Sequence, residues 1–209
     1  MAGSTKPATN GHGNGRGAEA VPTKARPAPG AETFGMGIFL VSLAVLFVAG
    51  IVAYAVVRSR AGAWPPPNSP PLPDTLWVST AIIVAGSAAI QWALACIRAQ
   101  QRIRFRIALS LTLAFALAFL ASQTTTWIQL ATLRATVRSS LYAYLFYFLT
   151  GLHALHVIGG IVPLVVITVN AFYDRYSAVS YGAVRFCTMY WHFLAVVWLV
   201  LFGLLVAAG

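Results

Sequence analysis

Five stretches of this chain run for more than twenty residues without a single Lys, Arg, Asp or Glu: 33–57, 75–97, 107–133, 139–173 and 186–209. A bilayer core about 30 Å thick is crossed by roughly 20 helical residues. Lipid cannot satisfy backbone N–H and C=O groups, so runs of this length are expected to be helices. The strands of a membrane β-barrel would be about 10 residues long with dyad alternation, and no such alternation is present. The predicted architecture is therefore an all-α, polytopic membrane bundle of five transmembrane helices. They are placed near 36–57, 75–97, 107–130, 141–170 and 185–207, and Pro163 is expected to kink or split the over-long fourth run. Composition agrees, since 59% of residues are hydrophobic and only 9% are charged, against about 25% charged in a soluble domain.

Two segments lie outside this pattern. Residues 1–35 are rich in Gly, Ala and Pro and carry Lys6, Arg16, Lys24 and Arg26. They cannot bury a core and are read as a disordered arm ahead of a transmembrane domain spanning 36–209. The apolar run begins too late and is too long for a secretory signal. His12, within Gly-His-Gly-Asn-Gly, is read as part of that tail in preference to a metal tract. The segment 58–74, with Trp64-Pro65-Pro66-Pro67 and Pro70-Pro71-Leu72-Pro73, is expected to be a stiff extended connection. Cys96 and Cys187 fall inside predicted spans and are read as small buried hydrophobes.

The net charge of +10 finds its explanation in where the bases lie. With five spans, one side receives Lys6, Arg16, Lys24, Arg26, Arg98, Arg102, Arg104, Arg106, Arg175 and Arg185, ten in all. The other receives only Arg58, Arg60, Arg134 and Arg138. Because Lys and Arg near span ends mark the cytoplasmic side, the N-terminus is predicted inside and the C-terminus outside. A nucleic-acid partner is not expected, since the bases do not gather on one face with stacking aromatics. Arg98, Arg102, Arg104 and Arg106 sit where anionic lipid head groups would lie, each able to contribute about 1 kcal/mol of attraction. A plain topology signal explains them equally well.

Intramembrane histidines are costly and by default suggest function. His153 and His156 stand three apart on one helix face with Leu149 and Gly160, and His192 lies in the last span. Gly151, Gly159 and Gly160 would let a neighbouring helix approach closely. Three imidazoles suit zinc or copper, yet no carboxylate or thiolate cluster joins them. They are therefore read as structural, hydrogen-bonded to backbone or to hydroxyl groups such as those of Thr150, Thr188 and Tyr190. Gln123, Thr124, Thr125 and Thr126 form a polar stretch in the third span, and Trp64, Trp77 and Trp127 are read as interfacial anchors. No catalytic constellation is present. The scarcity of intramembrane acids argues against a stand-alone proton pump.

Two motifs carry a resemblance. Gly151-Leu-His153-Ala-Leu-His156-Val-Ile-Gly159-Gly160 is similar to the Gly-Phe-His-Gly-Leu-His-Val-Ile-Ile-Gly run of cytochrome c oxidase subunit III. Tyr190-Trp191-His192-Phe193 with Val196-Val197-Trp198-Leu199 resembles the last-helix motif of the same family, and the Trp64-Pro65-Pro66 loop also matches. Five spans resemble the shorter bacterial form of that haem–copper oxidase subunit. The resemblance implies an accessory subunit in a bacterial cell membrane, with no cofactor of its own. Haem and copper would belong to subunits I and II; the chain would pack on subunit I, hold phospholipid and support proton uptake. It also implies a polar and aromatic core made by His153, His156, His192, Trp191 and Trp198. Three acids usual in the family are replaced here by Leu43, Ala195 and Arg185. An equivalent subunit of a quinol oxidase or nitric oxide reductase is the runner-up reading. An independent transporter is weaker, because no inverted repeat is visible.

Overall fold

The computed structural model describes residues 3, 30–62, 64, 73–133, 141–176 and 180–207. The arm's residues 1, 2 and 4–29, His12 among them, lie outside the described residues, as do most of the proline-rich connection, Arg134 and Arg138. Five helices account for nearly all the rest: α1 (Ala31–Arg60), α2 (Thr75–Arg98), α3 (Arg102–Thr132), α4 (Leu141–Phe172) and α5 (Gly182–Val206). Each is long and apolar enough to cross a membrane, and no strand occurs among the described residues. The protein is a multi-pass, all-helical membrane protein.

Helix ends depart from expectation for physical reasons. α1 begins at Ala31, inside the segment read as disordered up to residue 35. Gly30 turns the chain at φ 102°, where a Cβ would be strained, and Glu32 in the first turn complements the helix dipole. α3 begins at Arg102, ahead of the predicted residue 107, because a helix continues beyond the hydrocarbon and long arginine side chains suit its end. α4 continues through Pro163 as one helix; neither a split nor a second element appears there.

α2 and α4 end in the same device. After α2, Gln100 takes φ 57°, Gln101 N–H reaches Cys96 C=O at 2.9 Å and Gln100 N–H reaches Ile97 C=O at 3.2 Å. After α4, Asp174 takes φ 56°, with Arg175 N–H on Asn170 C=O at 3.1 Å and Asp174 N–H on Ala171 C=O at 3.3 Å. Both are Schellman motifs, which satisfy the terminal carbonyls in a tight space.

α2, α3, α4 and α5 close into a ring in which each helix touches its two chain-order neighbours, α5 returning to α2. α1 stands outside the ring against α4 and α5 only. Side-chain hydrogen bonds tie every side of the ring. Ser79 and Ser122 hydroxyls meet at 2.7 Å, as do those of Thr75 and Thr126, joining α2 to α3. Trp127 Nε1 donates to Thr150 Oγ1 at 3.2 Å, joining α3 to α4, so Trp127 turns inward and is not an interfacial anchor. Tyr190 Oη donates to the His156 carbonyl at 2.8 Å, joining α4 to α5. Such bonds hold transmembrane helices together where no hydrophobic force between them exists.

The ring has two distinct ends. One gathers Arg98, Arg102, Arg104, Arg106, Arg175 and Arg185, and is called the arginine end below. At the opposite end Trp64 packs edge-on against Tyr54 and Tyr142 at 5.5 and 5.2 Å. Arg58 there donates to the Ala207 carbonyl at 3.3 Å.

Candidate functional site, an aromatic and histidine layer inside the ring

The centre of the ring is a layer to which each helix contributes. Trp198 of α5 is fully buried and packs edge-on against Phe119 of α3 with centroids 4.9 Å apart. Its other neighbour is His153 of α4, at 5.2 Å, and Phe119 also meets His153 edge-on at 5.6 Å. Trp198 Nε1 donates to Thr80 Oγ1 of α2 at 3.0 Å, and Thr80 passes its own proton to the Leu76 carbonyl at 2.8 Å. From outside, Phe47 of α1 approaches His153 at 6.1 Å and His156 at 5.0 Å. Tilted and edge-on rings at 4.5–7 Å are the favoured aromatic geometry.

The three histidines have three different environments. His153 is completely buried, and neither ring nitrogen has a hydrogen-bond partner among the described residues. His156 Nδ1 lies 2.7 Å from the Leu152 carbonyl of its own helix. His192 sits at the α2–α5 seam, with Nδ1 2.6 Å from Ser87 Oγ and Nε2 3.0 Å from Gln91 Oε1. The expectation of a hydroxyl partner on the next helix therefore holds for His192 alone. Thr150, Thr188 and Tyr190 do not serve the imidazoles: the two threonines donate to carbonyls one turn back, and Tyr190 reaches only the backbone of His156.

Trp191 is buried, and its Nε1 has no hydrogen-bond partner among the described residues. Gln123 is buried, and neither amide atom has a hydrogen-bond partner among the described residues. Cys96 and Cys187 are free and buried.

The three glycines behave differently too. A Cβ on Gly160 would lie 2.6 Å from Tyr190 Cε1, so α4 and α5 touch there because that atom is missing. A Cβ on Gly159 would fit more loosely, 4.0 Å from Tyr190 Oη. A Cβ on Gly151 would meet nothing within 4 Å among the described residues, because it turns away from the α4–α5 contact.

At the arginine end, Asp174 in its left-handed turn draws Arg102 and Arg106 together at 3.2 and 2.8 Å. Arg106 Nε also donates to the Ala171 carbonyl at 3.0 Å. Arg98 lies over the Tyr181 ring at 5.6 Å, and Arg104 reaches the neutral Gln101 at 3.2 Å. Arg185 donates to Thr33 of α1. Apolar grooves open nearby, among them one beside Arg106 and Phe172 and two along α1. One of about 960 Å³ lies between α1 and α5 with Arg185 at its rim. The other, about 640 Å³, lies among α1, α4 and α5 beside Phe39, Pro163 and Tyr190.

Several contributors escape a reading of the sequence alone: Phe47, Thr80 and Phe119 in the layer, Ser87 and Gln91 beside His192, and Asp174 as a shared counter-ion. Ser87 and Gln91 stand four apart in the second uncharged run, and an amide in such a run is the available signal. Phe47, Thr80 and Phe119 carry no such mark.

Four membrane helices closed into a ring around a His and Trp layer, with a fifth helix outside, define a multi-pass helical membrane protein. The profile of the family described as cytochrome c oxidase subunit III matches residues 26–207. Among relatives, the cytochrome c oxidase subunit 3 of Synechocystis sp. is 33% identical over 83% of this chain and 74% of its own length. That of Thermostichus vulcanus is 28% identical over 85% of this chain and 87% of its own. That of Osphranter robustus is 28% identical over 81% and 66%, respectively. The chain belongs to the cytochrome c oxidase subunit III family.

Proposed function

We propose that the chain is a non-catalytic membrane subunit of a cytochrome c oxidase in an aerobic respiratory chain. In this reading it packs on the catalytic subunit I and supports stability and proton uptake during O₂ reduction. Haem and copper belong to the partner subunits I and II. The membrane is the bacterial cell membrane, with the arginine end, and so the N-terminus, on the cytoplasmic side. The observation that carries the reading is the family match across nearly the whole membrane domain. His153 and Trp198 of the motifs that resemble the family pack into one layer with Phe119, which fits a scaffold.

The decisive experiment is purification through a tag on this chain from cells that express it natively. A haem-bearing large subunit is expected to come with it, while the chain isolated from that complex shows no haem absorbance. Recovery of the chain alone would sink the reading.

Phospholipid is the ligand proposed for the arginine end, where apolar grooves for acyl chains adjoin cations for head groups. Asp174 already offsets much of the charge of Arg102 and Arg106, so Arg98, Arg104, Arg175 and Arg185, which have no acidic partner among the described residues, carry most of the attraction. At about 1 kcal/mol per cation, Arg98→Gln with Arg104→Gln is expected to weaken retention of anionic phospholipid by up to about 30-fold. Phosphorus assay and lipid mass spectrometry measure it. Arg102→Gln is expected to change it less, and equal losses would refute the division.

A further inference from the structure

Gln91 presents its amide on the exposed face of α2, at mid-membrane depth. α2 spans Thr75–Arg98, so at 1.5 Å per residue Gln91 stands about 7 Å from the helix centre. The hydrocarbon extends about 15 Å either side of the midplane. Half-buried His192 lies about 3 Å from the centre of α5 by the same measure. Polar groups at such depth almost always face a protein interior, yet these open outward.

The hydrogen bonds define what is left over. Gln91 Oε1 accepts from His192 Nε2, which therefore bears the proton. Nδ1 is then the acceptor, and the Ser87 hydroxyl is its donor. Every polar atom in this chain of three is used except the Gln91 NH₂ group, which has two protons and no partner among the described residues. A bare amide in hydrocarbon costs several kcal/mol. Ala88 and Ala95, one turn to either side of Gln91 on the same exposed face, leave room for a second backbone to approach. Near this depth the exposed Val41 and Val45 of α1 and Ile158 and Val162 of α4 are apolar, and the exposed Ser42 hydroxyl is satisfied by the Ile38 carbonyl of its own helix.

We infer that the α2–α5 seam around Gln91 is the docking face for a transmembrane helix of another oxidase subunit, one that offers an oxygen acceptor to the Gln91 amide. The partner's acceptor is a Ser, Thr or Asn oxygen or a carbonyl freed from its own helix. Head groups and bulk water do not reach this depth, so neither a lipid nor solvent supplies the missing acceptor. The inference rests on the reading of the chain as an oxidase subunit, and it adds the face and the chemistry of contact.

A benzophenone side chain placed at position 88 of the full chain, in cells that assemble the complex, tests it. Illumination is expected to join the chain to a different co-purifying subunit, whereas the same probe at position 162 labels lipid only. Loss of assembly on enlarging position 88 but not position 162 also supports the face. Lipid labelling alone at position 88, or a cross-linked pair of identical chains, overturns it. In parallel, Gln91→Leu is expected to reduce retention of the chain on the complex about 3-fold, and at most roughly 20-fold, the range measured for interhelical hydrogen bonds in membranes. Unchanged or improved retention means the amide faces lipid and overturns the inference. The subunit reading fails by a separate sign, the absence of any haem-bearing partner with the unaltered chain.

Discussion

Trp198→Ala is expected to destabilise the folded bundle by about 3–5 kcal/mol, the range for emptying a buried aromatic site. Equilibrium unfolding in mixed detergent micelles measures it. The size follows from position: Trp198 is fully buried and fills the space between Phe119 and His153 while its N–H ties α5 to Thr80 of α2. Truncation removes the dispersion contacts of three helices at once, and the surrounding backbones cannot collapse into the gap without breaking their own contacts. Trp198→Phe separates the two contributions. It keeps most of the ring and loses the hydrogen bond, with an expected cost nearer 1 kcal/mol, because Thr80 retains its bond to the Leu76 carbonyl. Equal costs for the two variants would show that the layer is not the centre of stability.

Gly160→Leu is the second large effect, expected at about 1–3 kcal/mol or more from overpacking. The added Cβ alone would lie 2.6 Å from Tyr190 Cε1, and Tyr190 is held in place by its hydrogen bond to the His156 carbonyl. α4 and α5 must separate or that bond must break. Tyr190→Ala removes the ring, so Gly160→Ala in that background is expected to be nearly neutral, a non-additivity that a double-mutant cycle reads directly. Gly151→Leu supplies the contrast in the isolated chain, where nothing lies within 4 Å of the new atom. Its expected effect is within about 0.5 kcal/mol. A Gly151 variant as damaging as the Gly160 variant would contradict the packing described.

The contrast between those glycines shows where sequence reading reaches its limit. Uncharged length alone reveals the five spans, because the hydrocarbon imposes it on each helix separately. Which residues face one another depends on how helices pair, and nothing local encodes that. Gly151 and Gly160 look equivalent along the chain, but only Gly160 meets α5. His192 depends on Ser87 and Gln91, about a hundred residues earlier, so its partners become visible only once α2 is seen to close the ring with α5. Helix ends escape for another reason. Arg102, Arg104 and Arg106 suggest a loop if charge is taken to end a span, but a membrane helix continues beyond the apolar slab, and here Arg102 and Arg106 pair with Asp174 while Arg104 reaches Gln101. The motif residues His153, His156, Trp191 and Trp198 do converge on the interior, and the Phe47 and Phe119 rings packed around them carry no mark in a chain rich in apolar residues.

The peripheral position of α1 has a consequence for biosynthesis. α1 touches only α4 and α5, and Leu141, the first residue of α4, follows Arg60 by 81 residues. At about 5–20 residues per second, a ribosome needs roughly 4–16 s to make that interval, and longer to complete α5. α2 and α3 can join as a hairpin soon after emerging, but α1 must wait in the lipid without a partner. Its composition suits the wait: it is the most apolar of the five spans, and its mid-span Ser42 hydroxyl bonds back to the Ile38 carbonyl at 3.0 Å. The helix made first thus finds its first partner within the chain only once α4 has been made.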